Sequence, residues 1–143
     1  MKKTATIQDI AYFNWAAARI PGEFDPNETR WMAQLDDGDI VAVVMYTSFS
    51  RFDCCMHLAT ARKDWANKEF LHKAFAYPFI DMALERVTFA TDSSNEAAIR
   101  LHKKLGAKYE GTLRRFHGFR DMVIHGMLKD ECKFLEEKKW VDC

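Results

Sequence analysis

The chain has 143 residues, enough for one domain, and its 48% apolar and 13% aromatic content suffices for a real core. Its 21 basic and 21 acidic residues cancel to a formal net charge of zero, which argues against a surface built as a whole for nucleic acid or membrane. MKKTATIQDIAYFNW has no apolar stretch after its lysines that would make a signal peptide, and no run approaches membrane-spanning length, so a soluble, cytoplasmic protein is expected.

In chain order, Ile7, Ile10, Ala11, Asn14, Trp15 and Ala18 recur at helical spacing, which predicts a helix over 7–19 that stops at Pro21-Gly22. TRWMAQLDDGDIVAVVMYTSF then reads as two strands around a hairpin turn at Asp36-Asp37-Gly38-Asp39, the second (40–49) apolar enough to be central. DCCMHLAT, 53–60, is a third strand after a turn at Arg51-Phe52-Asp53. Phe70, Leu71, Ala74, Phe75, Pro78, Phe79 and Met82 form a stripe for a helix over 67–82, kinked or broken at Pro78. A strand follows over 86–91.

The next stretch is the most clearly punctuated. Ser93 and Glu96 have capping-box spacing and Asn95 adds a further cap-type side chain. Ala98, Leu101, His102 and Leu105 share one helical face, and Gly106 stands where a left-handed cap belongs. Strands over 107–116 and 122–128 follow around Gly118, and the tail reads as a short helix or a docked end. The order α-β-β-β-α-β-α-β-β describes a mixed sheet with helices on both faces. No linker or repeat divides the chain, so residues 1–143 form one domain.

The four cysteines are Cys54, Cys55, Cys132 and Cys143, with no CxxC spacing. They read as reduced thiols. Cys54, Cys55 and His57 are wrongly spaced for a closed zinc site, so no metal is expected.

From residue 61 to residue 128 the chain resembles the GNAT superfamily of acetyl-coenzyme A-dependent N-acetyltransferases. It is most similar to the branch that acetylates ribosomal-protein N-termini. The matching marks are Tyr77, Phe79, Arg86-Val87, Asn95, Lys104-Leu105-Gly106, Glu110-Gly111, Leu113-Arg114, then Asp121 and His125-Gly126. Ala107 replaces the aromatic that usually follows the glycine. GMLKDEC also looks like small phage-encoded members. The resemblance implies a GNAT fold: a mixed, mostly antiparallel sheet with two splayed parallel strands, here 53–60 and 86–91. It also implies acetyl-CoA as cosubstrate. The pantetheine arm would pair with backbone at His57, Leu58 and Ala59, and Asn95 would contact the cofactor from the next helix. Diphosphate would lie at the loop holding Arg62, Trp65, Ala66, Asn67 and Lys68.

The family's phosphate loop has an Arg or Gln followed by two glycines, which let backbone N–H groups approach phosphate at a helix N-terminus. Here the loop reads ARKDWANK, without glycine. Trp65 either shields the cofactor or staples the helix.

Transfer to an amine requires the amine to lose a proton, the carbonyl oxygen to be stabilised and the leaving thiolate to be protonated. Many family members place a tyrosine acid seven residues after the asparagine; that position here is His102. The other reading of His102 is a histidine packed on an apolar helix face. Candidate bases are Asp53 and His57 on the strand, with Glu23 and Asp25 in the N-terminal loop.

The expected activity is therefore acetyl transfer to a protein N-terminus, a lysine or a small amine, in a ternary complex. The alternative is a non-catalytic GNAT-fold protein that engages a host protein or RNA. Arg100, Lys103, Lys104, Lys108, Arg114, Arg115 and Arg120 form a basic region that suits coenzyme phosphates, RNA, or no ligand at all. Zero net charge does not favour nucleic acid. Phe134, Leu135 and Trp140 offer a surface for a second copy or for the chain itself.

Overall fold

The computed structural model describes residues 1–135. Its strands are β1 (Lys2–Ala5), β2 (Arg30–Asp36), β3 (Asp39–Thr47), β4 (Cys55–Thr60), β5 (Arg86–Asp92), β6 (Lys108–His117) and β7 (Arg120–Leu128). Its helices are α1 (Ile10–Ala17), α2 (Lys68–Ala76) and α3 (Glu96–Leu105). The strands form one sheet in the order β1-β2-β3-β4-β5-β7-β6. Every neighbouring pair is antiparallel except β4 and β5, which are parallel. The expected mixed, mostly antiparallel α/β sheet is therefore present.

Alternation along the central strands divides the core in two. Ala33, Val43 and Met45 face α1, with Phe13, Ala16 and Trp31. Val44, Tyr46, Val87 and Phe89 face α2 and α3, with Phe70, Phe75, Phe79 and Leu105. The sheet thus carries helices on both faces. The Asp36–Asp39 turn joins β2 to β3 as expected, with Asp37 at φ 50° and Gly38 at φ 91°.

Several boundaries differ from expectation for identifiable reasons. Residues 2–5 form an edge strand that the lysines concealed, and Lys is a residue that protects such edges. The first helix begins at Ile10 because Asp9 caps it, accepting from the Ala11 N–H at 2.9 Å. Gln8, expected inside that helix, instead bridges Trp31 through both of its amide atoms. Asn95 caps α3 by accepting from the Ala98 N–H at 3.2 Å, displacing the Ser93–Glu96 box. Gly106 at φ 111° ends α3 as expected.

The second helix breaks at Pro78, as its ring requires, and continues over Tyr77–Asp81 as a π turn. Proline has no N–H to offer the carbonyl four residues earlier. That carbonyl, of Ala74, accepts from the Tyr46 hydroxyl instead. Of the expected tail helix, only the short turn Lys129–Glu131 lies in the described residues. Trp140 and Cys143 lie outside them.

Candidate functional site

β4 and β5 share a single registered pair, Cys55 opposite Thr88. At that joined end, the Thr88 N–H donates to the Cys54 carbonyl at 2.8 Å, and the Glu85 and Arg86 N–H groups converge on the Phe52 carbonyl. Beyond it no β5 residue pairs with β4, and β4 keeps only its β3 partner up to Thr60. Backbone groups alternate in direction along a strand. The Cys54 carbonyl points towards β5, and the Ala61 N–H points the other way, to Val41. The Met56 N–H completes the Cys55–Thr88 pair, so the Met56 C=O and the N–H and C=O of Leu58 face the gap with no strand to receive them, while His57 and Ala59, expected to pair with the pantetheine arm, turn their backbone groups to β3.

One side of the gap is an apolar cavity of about 20 Å³, lined by Leu58, Phe89, His102 and Leu105 among others. His102 is buried and stacks on Phe89, with ring centroids 4.4 Å apart. Its Nδ1 lies 3.3 Å from the Thr91 hydroxyl, leaving Nε2 as the nitrogen for a ligand. Burial, aided by His125 and His57, pulls its pKa down to about 4. His125 of β7 lies 6.5 Å away in the same layer. It is fully buried and neither ring nitrogen has a hydrogen-bond partner in the structure. In the sequence His125 is only a mark of the family pattern; its ring lies between those of His102 and Tyr109, which come from α3 and β6.

His57 turns to the opposite face, towards α1. Its Nε2 lies 2.8 Å from the Thr47 hydroxyl and its ring meets Phe24 edge-on at 5.0 Å. Burial lowers its pKa to about 4 as well. The gap thus has a neutral imidazole on each face. Neither Thr47 nor Phe24 could be assigned to the site from sequence spacing, because both arrive from distant parts of the chain.

Asp53 sits just ahead of β4, so the strand begins two residues later than expected. Its carboxylate accepts from the Thr88 hydroxyl at 2.9 and 3.0 Å and lies 3.5 Å from Arg86 Nε. Arg86 continues across Gly126 to Glu110 at 2.6 Å. This network latches the joined end of the strands, away from the mouth of the gap. Glu23 and Asp25 lie in the N-terminal loop, where Asp25 caps the turn Pro26–Glu28 by accepting from the Asn27 N–H.

The loop at the mouth follows β4. Lys63–Trp65 make a single 3₁₀ turn, and Asn67 caps α2 by accepting from the Phe70 N–H at 2.8 Å. Trp65 is buried edge-on against Phe70, and its carbonyl accepts from Gln34, so the indole staples the helix into the core. Arg62 is held by Asp64 at 2.6 Å and Asp36 at 2.9 Å, and Lys2 also pairs with Asp64 at 2.9 Å. These carboxylates raise the Arg62 pKa further, and the two cations hold the Asp64 carboxyl well below the usual range. Ala66, Lys68 and Asn95 are exposed, Asn95 with its side chain on the Ala98 N–H.

Burial pushes the Cys54 thiol up to about 12, so it is not a nucleophile at neutral pH. Among the described residues no group of three or more His, Cys, Asp or Glu is placed to hold a metal ion, and no helix is long and apolar enough to cross a membrane.

The chain superposes on solved acetyltransferases and has the GNAT fold. The spermidine N-acetyltransferase SpeG of Vibrio cholerae, solved as a chimera, superposes with a TM-score of 0.71 at 13% identity, covering 94% of this chain and 99% of the other. The ribosomal-protein-S5-alanine acetyltransferase of Vibrio fischeri superposes with a TM-score of 0.60 at 17% identity, covering 75% and 65%. By sequence, the chain is similar to YokL of Bacillus subtilis, an SPbeta prophage-derived uncharacterized N-acetyltransferase. They are 27% identical over 126 residues, which is 78% of this chain and 68% of YokL. No family model matches the chain.

Proposed function

We propose that the protein transfers the acetyl group of acetyl-CoA to a primary amine by direct attack in a ternary complex. The observation that carries this reading is the unpaired β4 edge, where the Met56 carbonyl and the Leu58 N–H and carbonyl face the gap. An amide-bearing pantetheine arm would complete that edge as a strand would. In the reaction the amine nitrogen bonds the acetyl carbon and the C–S bond breaks, and the proton the amine gives up is the one that, passed through solvent, ends on the thiolate.

The two histidines divide the gap between these tasks. His57, neutral at pH 7, offers a lone pair from the α1 face. His102 is held neutral too, so it donates a hydrogen bond to the leaving sulfur rather than carrying a full proton. Asp53, the other candidate base, holds the joined end through Thr88 and Arg86. Catalysis in so apolar a gap rests on orienting the acceptor and stripping it of water. Asn67, Lys68 and Asn95 would meet the nucleotide end at the mouth. YokL's prophage origin accords with a phage source, and the S5-alanine enzyme accords with a protein N-terminus as acceptor.

Ligand-dependent stability tests the reading. Acetyl-CoA at a hundred times its dissociation constant should stabilise the fold by about 2.7 kcal/mol, a shift of a few degrees in Tm. No shift, together with no heat of binding in calorimetry, would overturn it. One feature favours a second reading, a GNAT-fold binding protein without activity: Arg62 is already neutralised by Asp64 and Asp36 in a loop without glycine. Binding of acetyl-CoA without thiol release in the presence of any amine would favour that reading.

A further inference from the structure

The β6–β7 hairpin ends in an arm that the candidate site does not use. Leu113 faces Met122 and His117 faces Arg120, so Arg114, Arg115 and Phe116 stand opposite Asp121 alone. This wide bulge turns Arg115 to φ 54°, a conformation unusual for a side chain with a Cβ. The Asp121 carboxylate holds the bulge by accepting from the Arg115 N–H at 2.8 Å. Asp121, the only acid between Leu113 and Met122, is thus spent on backbone.

The bulge throws out cations and rings together. The Arg114 and Arg115 side chains make no ion pair among the described residues, and Arg120 reaches Asp92 only at 3.6 Å, with most of its surface in water. Phe119 is 91% exposed and Phe116 57% exposed, the latter edge-on to His117 at 5.2 Å. Two exposed rings beside unpaired guanidiniums suit a partner that offers flat apolar faces. Unpaired guanidiniums need anions. A strained, clamped bulge that presents both at once is a device for display rather than for packing.

From this juxtaposition we infer that the hairpin arm binds single-stranded nucleic acid, with Arg114, Arg115 and Arg120 on phosphates and Phe116 and Phe119 stacked on bases. Single strands supply both chemistries, and stacking on an aromatic accepts any base. The neutral net charge of the chain does not oppose this, because the arm carries three arginines and no free acid. The edge of β6 carries Lys108, Glu110, Arg114 and Arg115, mixed charges that discourage pairing with a second copy's strand. The arm also lies beside the mouth of the gap: the Asp121 carbonyl accepts from the Ser93 N–H at 2.9 Å, and Asp92 ends β5 there.

Fluorescence anisotropy with a labelled 12-nucleotide single-stranded RNA tests this on the full chain. Three phosphate contacts predict a log–log salt slope near about −2, so affinity should fall by roughly tenfold or more between 50 and 200 mM salt. Arg114→Ala/Arg115→Ala should bring the slope to about −0.7, and Phe119→Ala should weaken binding about fivefold or more at constant slope. All these side chains are exposed, so Tm and acetyl-CoA binding should match the parent. A duplex of the same sequence, its bases stacked away, should bind more weakly. No binding at 50 mM salt, equal binding of the duplex, or indifference to both variants would overturn the inference. None of these outcomes depends on whether acetyl-CoA binds.

Discussion

At the scale of single residues, Gly126 has the most constrained position. A Cβ there would meet Arg86 Nη2 and lie 2.5 Å from the Glu110 carboxylate, the two partners that cross it. Both are far ends of flexible side chains, so Gly126→Ala should swing the Arg86–Glu110 pair off the sheet and cost about 1 kcal/mol or less, read as a slightly lower urea midpoint at unchanged m-value. Asp64 is the converse case, a residue whose removal should help a ligand. With Asp64→Ala, Arg62 keeps only Asp36, and the mouth loses one negative charge. Acetyl-CoA should bind several-fold more tightly to this variant in calorimetry; an unchanged or weaker affinity would take Arg62 out of the phosphate site. His102→Phe keeps the stack on Phe89 and removes the Thr91 contact. It should slow thiol release without weakening acetyl-CoA binding.

Among elements, α3 is the best determined. Its N-cap, its apolar face and its glycine stop are all local chemistry, and each was readable, though the side chain that caps it is Asn95 rather than Ser93. Gly106→Ala forces a Cβ into φ 111° and should cost about 1 kcal/mol or more in chemical denaturation. β1 and the π turn mark the other extreme. Four residues beginning with two lysines carry too little periodicity to announce a strand; β2 makes them one by offering an edge. Pro78 announced a break, but the π turn depends on Tyr46, which arrives from β3 to satisfy the carbonyl that proline leaves open. The extra residues of β6 opposite Asp121 were likewise hidden, because a bulge is a property of two strands in register.

For the whole molecule, the two neutral histidines couple the gap to global stability. His57 and His102 titrate near 4 in the fold against 6.5 when unfolded. Below 6.5 the unfolded chain takes up protons that the folded chain refuses until about pH 4. Stability is therefore full above that window and falls as pH drops through it, by at most about 2 kcal/mol per histidine at pH 5. Urea midpoints at pH 7.5 and pH 5 should show this fall, and His102→Phe should make it shallower; an identical fall in the variant would remove His102 as its source. The sequence by itself determined the strand–helix alternation after β1, the break at Pro78, the glycine stop of α3 and enough marks to name a fold class, because those follow from neighbours along the chain. Only the tertiary structure decided that β4 and β5 part after one pair, that His57 and His102 face each other across the sheet from opposite sides, and that Asp53 latches the closed end. Those facts depend on which strands lie side by side and in what register, and that choice is made by burial of the two core faces together.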